Sequence, residues 1–133
     1  MNPHHARVAL RAGYRCEYCH APEVAFNLAL EVEHITPASR EGSNIDENLA
    51  LACKSCNLHK SAHSDAVDPE TQAVVRLFNP RMDVWAEHFV VSRESLQISG
   101  LTPVGRATVT RLRVNSEAQL AARHQWRRLG LFP

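Results

Sequence analysis

Residues 31–37 read EVEHITP, and residues 47–60 read ENLALACKSCNLHK. Between Asn27 and Ile35 the run NLALEVEHI roughly alternates apolar and polar residues, the period of a half-buried strand, and it predicts a strand ending at the Glu33-His34 pair. Pro37 opposes further pairing because it offers no backbone N–H. The next stretch, ASREGSNIDEN, is rich in Ser, Gly, Asn and Asp and reads as a loop, after which LALAC makes a second short strand. The run KSCNLHKSAHSDA then has no Gly or Pro before Asp68-Pro69, so a helix is expected to begin near Cys53 and Cys56. The order is strand, loop, strand, helix, with the two strands forming an antiparallel hairpin.

Outward from that stretch, Val8 to Gly13 has helical character with Gly13 as a stop, so a short basic helix leads into Cys16. On the other side, LFNPRMD reads as a turn, VWAEHF as a short helical piece and FVVSRESLQIS as a second hairpin. Thr102-Pro103 has the form of an N-cap followed by proline at N1, opening a helix to about Val114, and Ser116 caps a last helix that ends at Gly130. The fold class expected is α+β: a core of hairpin and helix over residues 1–68, and an accessory extension of a hairpin and two helices over residues 69–133, packed as one unit.

The chain has 133 residues, enough for one compact domain with a modest core, in which a metal staple would help. Its start lacks the apolar segment of a secretory signal, and no stretch approaches the ~20 apolar residues that span a bilayer, so a cytoplasmic protein without membrane contact is expected. A formal charge of +1 gives no general support for nucleic-acid binding. The placement of charge is uneven: Arg7, Arg11 and Arg15 precede Cys16 with no acid among them, Arg106, Arg111, Arg113, Arg123, Arg127 and Arg128 face only Glu117, and nearly all other carboxylates lie between. Scattered arginines on solvated helix faces would look the same.

Cys16-x2-Cys19 and Cys53-x2-Cys56 account for every cysteine, and two such thiolate pairs are what tetrahedral Zn²⁺ takes in a closed structural site. Two disulfides suit an oxidising compartment instead, and a redox pair would sit in a βαβ context that this chain does not offer. A metal held this way ties the beginning of the core to the end of the hairpin and leaves residues 33–48 free for chemistry.

The succession C-x2-C, EVEHITP, ENLALAC and KSCNLHK resembles the cysteine-containing branch of the HNH endonucleases. The resemblance implies a ββα-metal hairpin and helix and the hydrolysis of phosphodiester bonds in nucleic acid, with DNA as the expected polymer. Carried over position by position, it implies that His34 activates water, that Glu33 and Asn57 bind a divalent metal and that Asn48 holds the loop. Glu stands at 33 where the family more often has Asp, and Asn at 57 where it more often has His. Both supply oxygen, which favours Mg²⁺ or Mn²⁺ over softer ions. The stretches LFNPRMDVWAEHF, ISGLTPVGRATVTRLRVN and RHQWRRLGLFP resemble the tail of a group of small bacterial HNH proteins, with no role for the tail implied.

Residue chemistry points the same way. An imidazole with an ordinary pKa near ~6.5 accepts a proton at neutral pH, and a strand end beside a loop exposes it. Lys60 lies three residues after Asn57, on the same helical face, where its ammonium would contact the phosphate; an exposed helix lysine is the ordinary alternative. His4, His5, His20 and His63 read as surface histidines. Trp85, Phe89, Leu112 and Trp126 read as core residues before base-stacking ones. If Arg106, Arg111, Arg113, Arg123 and Arg127 line one surface, they would grip phosphates flanking the cut. The rival reading is a non-catalytic four-cysteine zinc module that binds nucleic acid or protein. Oligomeric state and sequence preference have no signature here.

Overall fold

The computed structural model describes residues 2–133. Strand β1 (Glu31–His34) pairs antiparallel with β2 (Leu49–Ala52) in the register Glu31 to Ala52, Glu33 to Ala50 and His34 to Leu49. Helix α2 (Lys54–Lys60) follows β2 after one residue, Cys53, whose sulfur accepts the Cys56 N–H and so caps the helix. β2 is buried along its whole length, consistent with its small and apolar sequence LALA. β1 is shorter than the alternating run, and its buried residue is the acid Glu33 rather than Val32. Leu28, upstream in the same run, lies 77% exposed. Alternation therefore locates the strand but assigns its interior face to the apolar side, whereas a carboxylate with polar partners fills it.

Helix α1 (His5–Arg11) precedes the first cysteine pair, and the chain leaves it through Gly13 at φ +64, a left-handed position that glycine adopts without a Cβ clash. α1 packs on β1 and β2, burying Val8 and Ala9. Arg11 reaches across to donate to the Leu49 carbonyl, which also accepts from Arg81 at 3.3 Å. The beginning of β2, opposite His34, is thus pinned by two guanidinium groups.

After α2 the chain turns at Ser61, with φ +51, and forms a small hairpin of β3 (Asp65–Val67) and β4 (Val74–Arg76). The expected continuation of the helix toward Asp68 does not occur. A short helix α3 (Trp85–His88) leads into a third hairpin, β5 (Phe89–Val91) with β6 (Ile98–Gly100). Helices α4 (Pro103–Leu112) and α5 (Glu117–Arg128) end the fold. Thr102 accepts the Gly105 N–H and Ser116 the Gln119 N–H, caps that each contribute about 1 kcal/mol. Gly100 and Gly105 let β6 and α4 touch, since a Cβ on Gly100 would strike the Gly105 and Arg106 backbone.

The extension is bound to the first half through packed side chains. Trp85 Nε1 donates to the Tyr18 carbonyl at 2.9 Å, Phe78 meets Tyr18 edge-on at 6.4 Å, and Trp126 lies 5.9 Å from Phe26. Phe89, Leu112 and Trp126 are buried, as core residues should be. Asp68, fully buried, is held by Arg106 through two bonds of 2.9 Å, which keep its carboxyl well below the usual range. The architecture is α+β: helices around three small antiparallel sheets and a four-cysteine cluster. No helix among the described residues is long and apolar enough to cross a membrane.

Candidate functional site

The two C-x2-C segments come together. Cys16, Cys19, Cys53 and Cys56 are buried and unbridged, with their sulfurs all within 4.8 Å of one another. Each pair folds as the same turn, in which the first sulfur accepts the N–H of the second cysteine, at 3.5 Å for Cys16 and 3.4 Å for Cys53. A zinc–sulfur bond of about 2.3 Å places the corners of a tetrahedron about 3.8 Å apart, and Cys19 and Cys53 already stand at 3.7 Å. The donor set and spacing therefore fit zinc. Burial pushes the Cys16 thiol up and bonding to Cys16 pushes Cys56 up, while hydrogen bonds from Cys16, Cys19 and Cys56 draw Cys53 far down. Thiols packed this way share protons until a dication replaces them. This cluster is the only group of three or more His, Cys, Asp or Glu so arranged among the described residues.

A second site lies at the other end of the hairpin. A cleft of about 290 Å³ is lined by Glu33, His34 and Asn57 together with Pro37, Ser39 and Ser61. His34 is half-buried at the end of β1, and its Nε2 meets Asn44 Oδ1 at 2.6 Å. With the Asn44 oxygen as acceptor, Nε2 carries the hydrogen and Nδ1 keeps its lone pair. Asn48 ties the loop shut: Oδ1 accepts the Thr36 N–H at 2.8 Å, and Nδ2 donates to the Thr36 carbonyl at 3.0 Å and the Ser43 carbonyl at 2.9 Å. Gly42 sits beneath the Thr36 carbonyl, where any Cβ would collide with it.

Glu33 is 5% exposed and has both oxygens engaged, Oε1 by the Tyr18 hydroxyl and Oε2 by Lys60 Nζ at 3.0 Å. Burial raises its pKa against the lowering effect of Lys60 and Tyr18, and the same burial beside Glu33 pushes the Tyr18 phenol well up, so Tyr18 remains a donor. The sequence suggests Lys60 on a surface, facing a phosphate. Instead it is 1% exposed, and its Nζ donates to Glu33 Oε2, to the His34 carbonyl at 3.0 Å and to the Ile35 carbonyl at 3.1 Å. An ammonium has three hydrogens, so none remains for a ligand. Its position follows from helix geometry, because the shared face of Asn57 and Lys60 turns toward β1. Asn57 Nδ2 bonds Glu31, not Glu33.

The arginines of the extension do not form one surface. Arg123 is fully buried, bonded to the Leu96 carbonyl at 2.7 Å and the Val114 carbonyl at 2.6 Å. Arg106 is spent on Asp68 and on Glu70 at 3.2 Å. Arg127 donates to the Arg93 carbonyl at 2.5 Å. Arg111 and Arg113 do share a cleft of about 450 Å³, with His59 and His63. Of the histidines read as superficial, His5 is half-buried and paired with Glu23 at 2.7 Å. His20 stacks on Trp85 at 4.1 Å, and burial with Arg15 and Arg123 nearby lowers its pKa to about 4.

Three residues that bond to the side chains of the cleft escape a reading of the sequence. Glu31 carries a signal, since two residues before Glu33 on a strand means the same face. Tyr18 and Asn44 carry none, because their partners are distant in sequence and are decided by folding. Comparison with known families matches residues 16–63 to the model described as HNH endonuclease, a segment that begins at the first cysteine and ends just after α2. No curated protein and no solved structure matches the chain.

Proposed function

We propose that this chain, whose residues 16–63 carry the likeness to the HNH endonucleases, is a metal-dependent endonuclease hydrolysing phosphodiester bonds in nucleic acid, most naturally DNA. The observation that carries the reading is the cleft that gathers His34, Glu33 and Asn57 at the end of a hairpin closed by Asn48. In this reading β1, β2 and α2 are a ββα-metal core within residues 1–68, residues 69–133 are the packed extension, and the cysteines hold structural Zn²⁺. His34 Nδ1 takes a proton from the attacking water, with Asn44 fixing the tautomer and ring plane. Asn48 ties Thr36 to Ser43 and so fixes the two ends of the loop beside the imidazole.

Glu33 and Asn57 are the residues that would hold the catalytic cation, with Glu31 beside Asn57 as a further oxygen donor. Oxygen donors of this kind suit a hard ion such as Mg²⁺ or Mn²⁺, and binding one would require Glu33 to exchange its bond from Tyr18 or Lys60 for the ion. When bound, such an ion supplies charge neutralisation at the phosphate and the leaving oxygen. Lys60 acts through Glu33 as a positioning residue, holding its carboxylate and the carbonyls that end β1. Arg111, whose Nε donates to the His59 carbonyl at 3.1 Å, and Arg113 share a cleft with His59 and His63, and this supports reading these two as the arginines of the extension that meet a nucleic-acid backbone.

The engagement of both Glu33 oxygens favours a second reading, a zinc module that binds nucleic acid or protein without cutting. Cleavage of supercoiled plasmid by the wild type and by His34→Ala, each with EDTA, Mg²⁺ or Mn²⁺, separates the two. The nuclease reading expects metal-dependent nicking that falls at least about a hundredfold in the variant, the usual scale for a lost general base. Equal activity removes His34 from the mechanism. No cleavage by either protein, with nucleic-acid binding intact, gives the non-catalytic reading.

A further inference from the structure

Arg123 has no place in the chemistry of the His34 cleft, yet it is the largest fully buried side chain among the described residues. Its guanidinium makes three hydrogen bonds, all to neutral oxygens: Nη1 to the Leu96 carbonyl at 2.7 Å and Asn115 Oδ1 at 3.4 Å, and Nη2 to the Val114 carbonyl at 2.6 Å. Its Nε has no partner, the sole buried side-chain nitrogen or oxygen so placed among the described residues. No carboxylate of the described residues forms an ion pair with it, although the chain has 14 acids to choose from. The Phe132 ring, 5.7 Å away, offers only a weak compensation. A fully buried, unpaired cation is strongly unfavourable unless negative charge lies near it.

That charge is available from the cysteines. Four thiolates around one dication carry a net charge of about −2. Gln119, one helical turn before Arg123 and on the same face of α5, is buried and directs Nε2 at Cys19 Sγ, 3.9 Å away. The thiols act electrostatically on Arg123 as well, Cys19 foremost, opposing the downward pull of burial. Ser116 fixes the start of α5 by capping at Gln119, whose side chain reaches Cys19, with Arg123 one turn further along the same face.

We infer that α5 is the outer layer of the metal centre, in which Gln119 bonds the Cys19 sulfur and the buried Arg123 offsets the negative charge of the four thiolates. The inference rests on the zinc reading of the cysteines and not on the nuclease reading. The extension thereby helps to retain the metal from more than sixty residues downstream of the last ligand. Gln119 and Arg123 are positioning residues, since neither contacts the ion.

The test uses the full chain, first assayed for zinc content and then compared with Gln119→Leu, Arg123→Met and Arg123→Lys. Two readouts follow: the rate of zinc transfer to excess chromogenic chelator, and the absorption spectrum after cobalt replaces zinc. Loss of a hydrogen-bond donor on a sulfur, or of a positive charge near it, raises the energy of its lone pair, so the thiolate-to-cobalt band should move to longer wavelength in Gln119→Leu and further in Arg123→Met. Zinc should leave both at least about tenfold faster, the scale on which partners of metal ligands act, with Arg123→Lys restoring part of the loss. A merely structural role would not move the cobalt band. Unchanged spectra and release rates in folded variants overturn the inference, and Gln119→Leu alone decides if Arg123→Met does not fold. Less than one equivalent of tightly held zinc in the wild type overturns the zinc reading and the inference with it, whatever the outcome of the plasmid assay.

Discussion

The cysteine cluster and the His34 cleft lie at opposite ends of the β1–β2 hairpin, and they are built on opposite plans. The cluster is dry: four cysteines at 0–2% exposure, assembled from two identical turns and approached by Gln119 from the far end of the chain. The cleft is open to solvent, asymmetric and local, with the His34 imidazole half-buried and held by one asparagine of the neighbouring loop. A structural metal gains from exclusion of water and from every element that surrounds it, whereas hydrolysis needs water at the base and a path for a polymer. The two are connected through Tyr18. This residue lies between Cys16 and Cys19, and its hydroxyl bonds the buried carboxylate of Glu33.

The contrast breaks first at the cysteines. In Cys56→Ser the metal centre is lost, and because its assembly is coupled to folding, the whole protein should unfold, with loss of the far-ultraviolet helical signal and of any cooperative melt. Retention of a native melt without zinc would mean that the rest of the core suffices. A smaller but still large effect is expected at the junction of the two regions. Lys60→Met strands Glu33 as a buried charge and should destabilise by about 3–5 kcal/mol, read as a lowered urea midpoint, with Glu33→Gln added to the same chain recovering part of it. An unchanged midpoint with weakened nucleic-acid binding would instead return Lys60 to a phosphate-contacting role. Least disruptive is Asn44→Ala, which leaves the core untouched: roughly tenfold slower cleavage with an unchanged melting temperature is expected, about the worth of one hydrogen bond to a catalytic group. A rate equal to that of the wild type would show that the imidazole needs no help from the loop.

Much of this is open to a reader of the sequence, for identifiable reasons. The C-x2-C pairs announce themselves because knuckle geometry is local and four thiols have few other uses in such an arrangement. Thr102-Pro103 and Ser116 mark their helices because capping involves only neighbouring residues. The hairpin β3–β4 is invisible at that level. Strands of three residues carry no measurable period, and DAV following a run without Gly or Pro reads as more helix. The left-handed turn at Ser61 that ends α2 is likewise unmarked, since serine has no preference for that region of backbone space.

The arginines mislead for a more general reason. Charge on a helix of the extension predicts solvent, and for Arg113 and Arg127 that holds. Arg123 goes inward because the Leu96 and Val114 carbonyls receive its guanidinium there, and Arg106 is drawn to Asp68, an acid 38 residues away. Neither environment exists until the second half of the chain has docked on the first. The same applies to Lys60, whose place three residues after Asn57 is legible while the direction of that face is not.

By itself the sequence determined the chemistry on offer: thiols in pairs suited to zinc, a histidine at a strand end, oxygen donors at 33 and 57, and an asparagine able to tie the loop between. These follow from side-chain identity and short-range spacing, which persist in any conformation. Only the tertiary structure decided which charges are interior, which hydrogen of His34 is committed to Asn44, and that the last helix faces the first metal ligands. Those outcomes depend on burial and on partners far apart along the chain, and the cost of burying a charge has no value until the packing that surrounds it is complete.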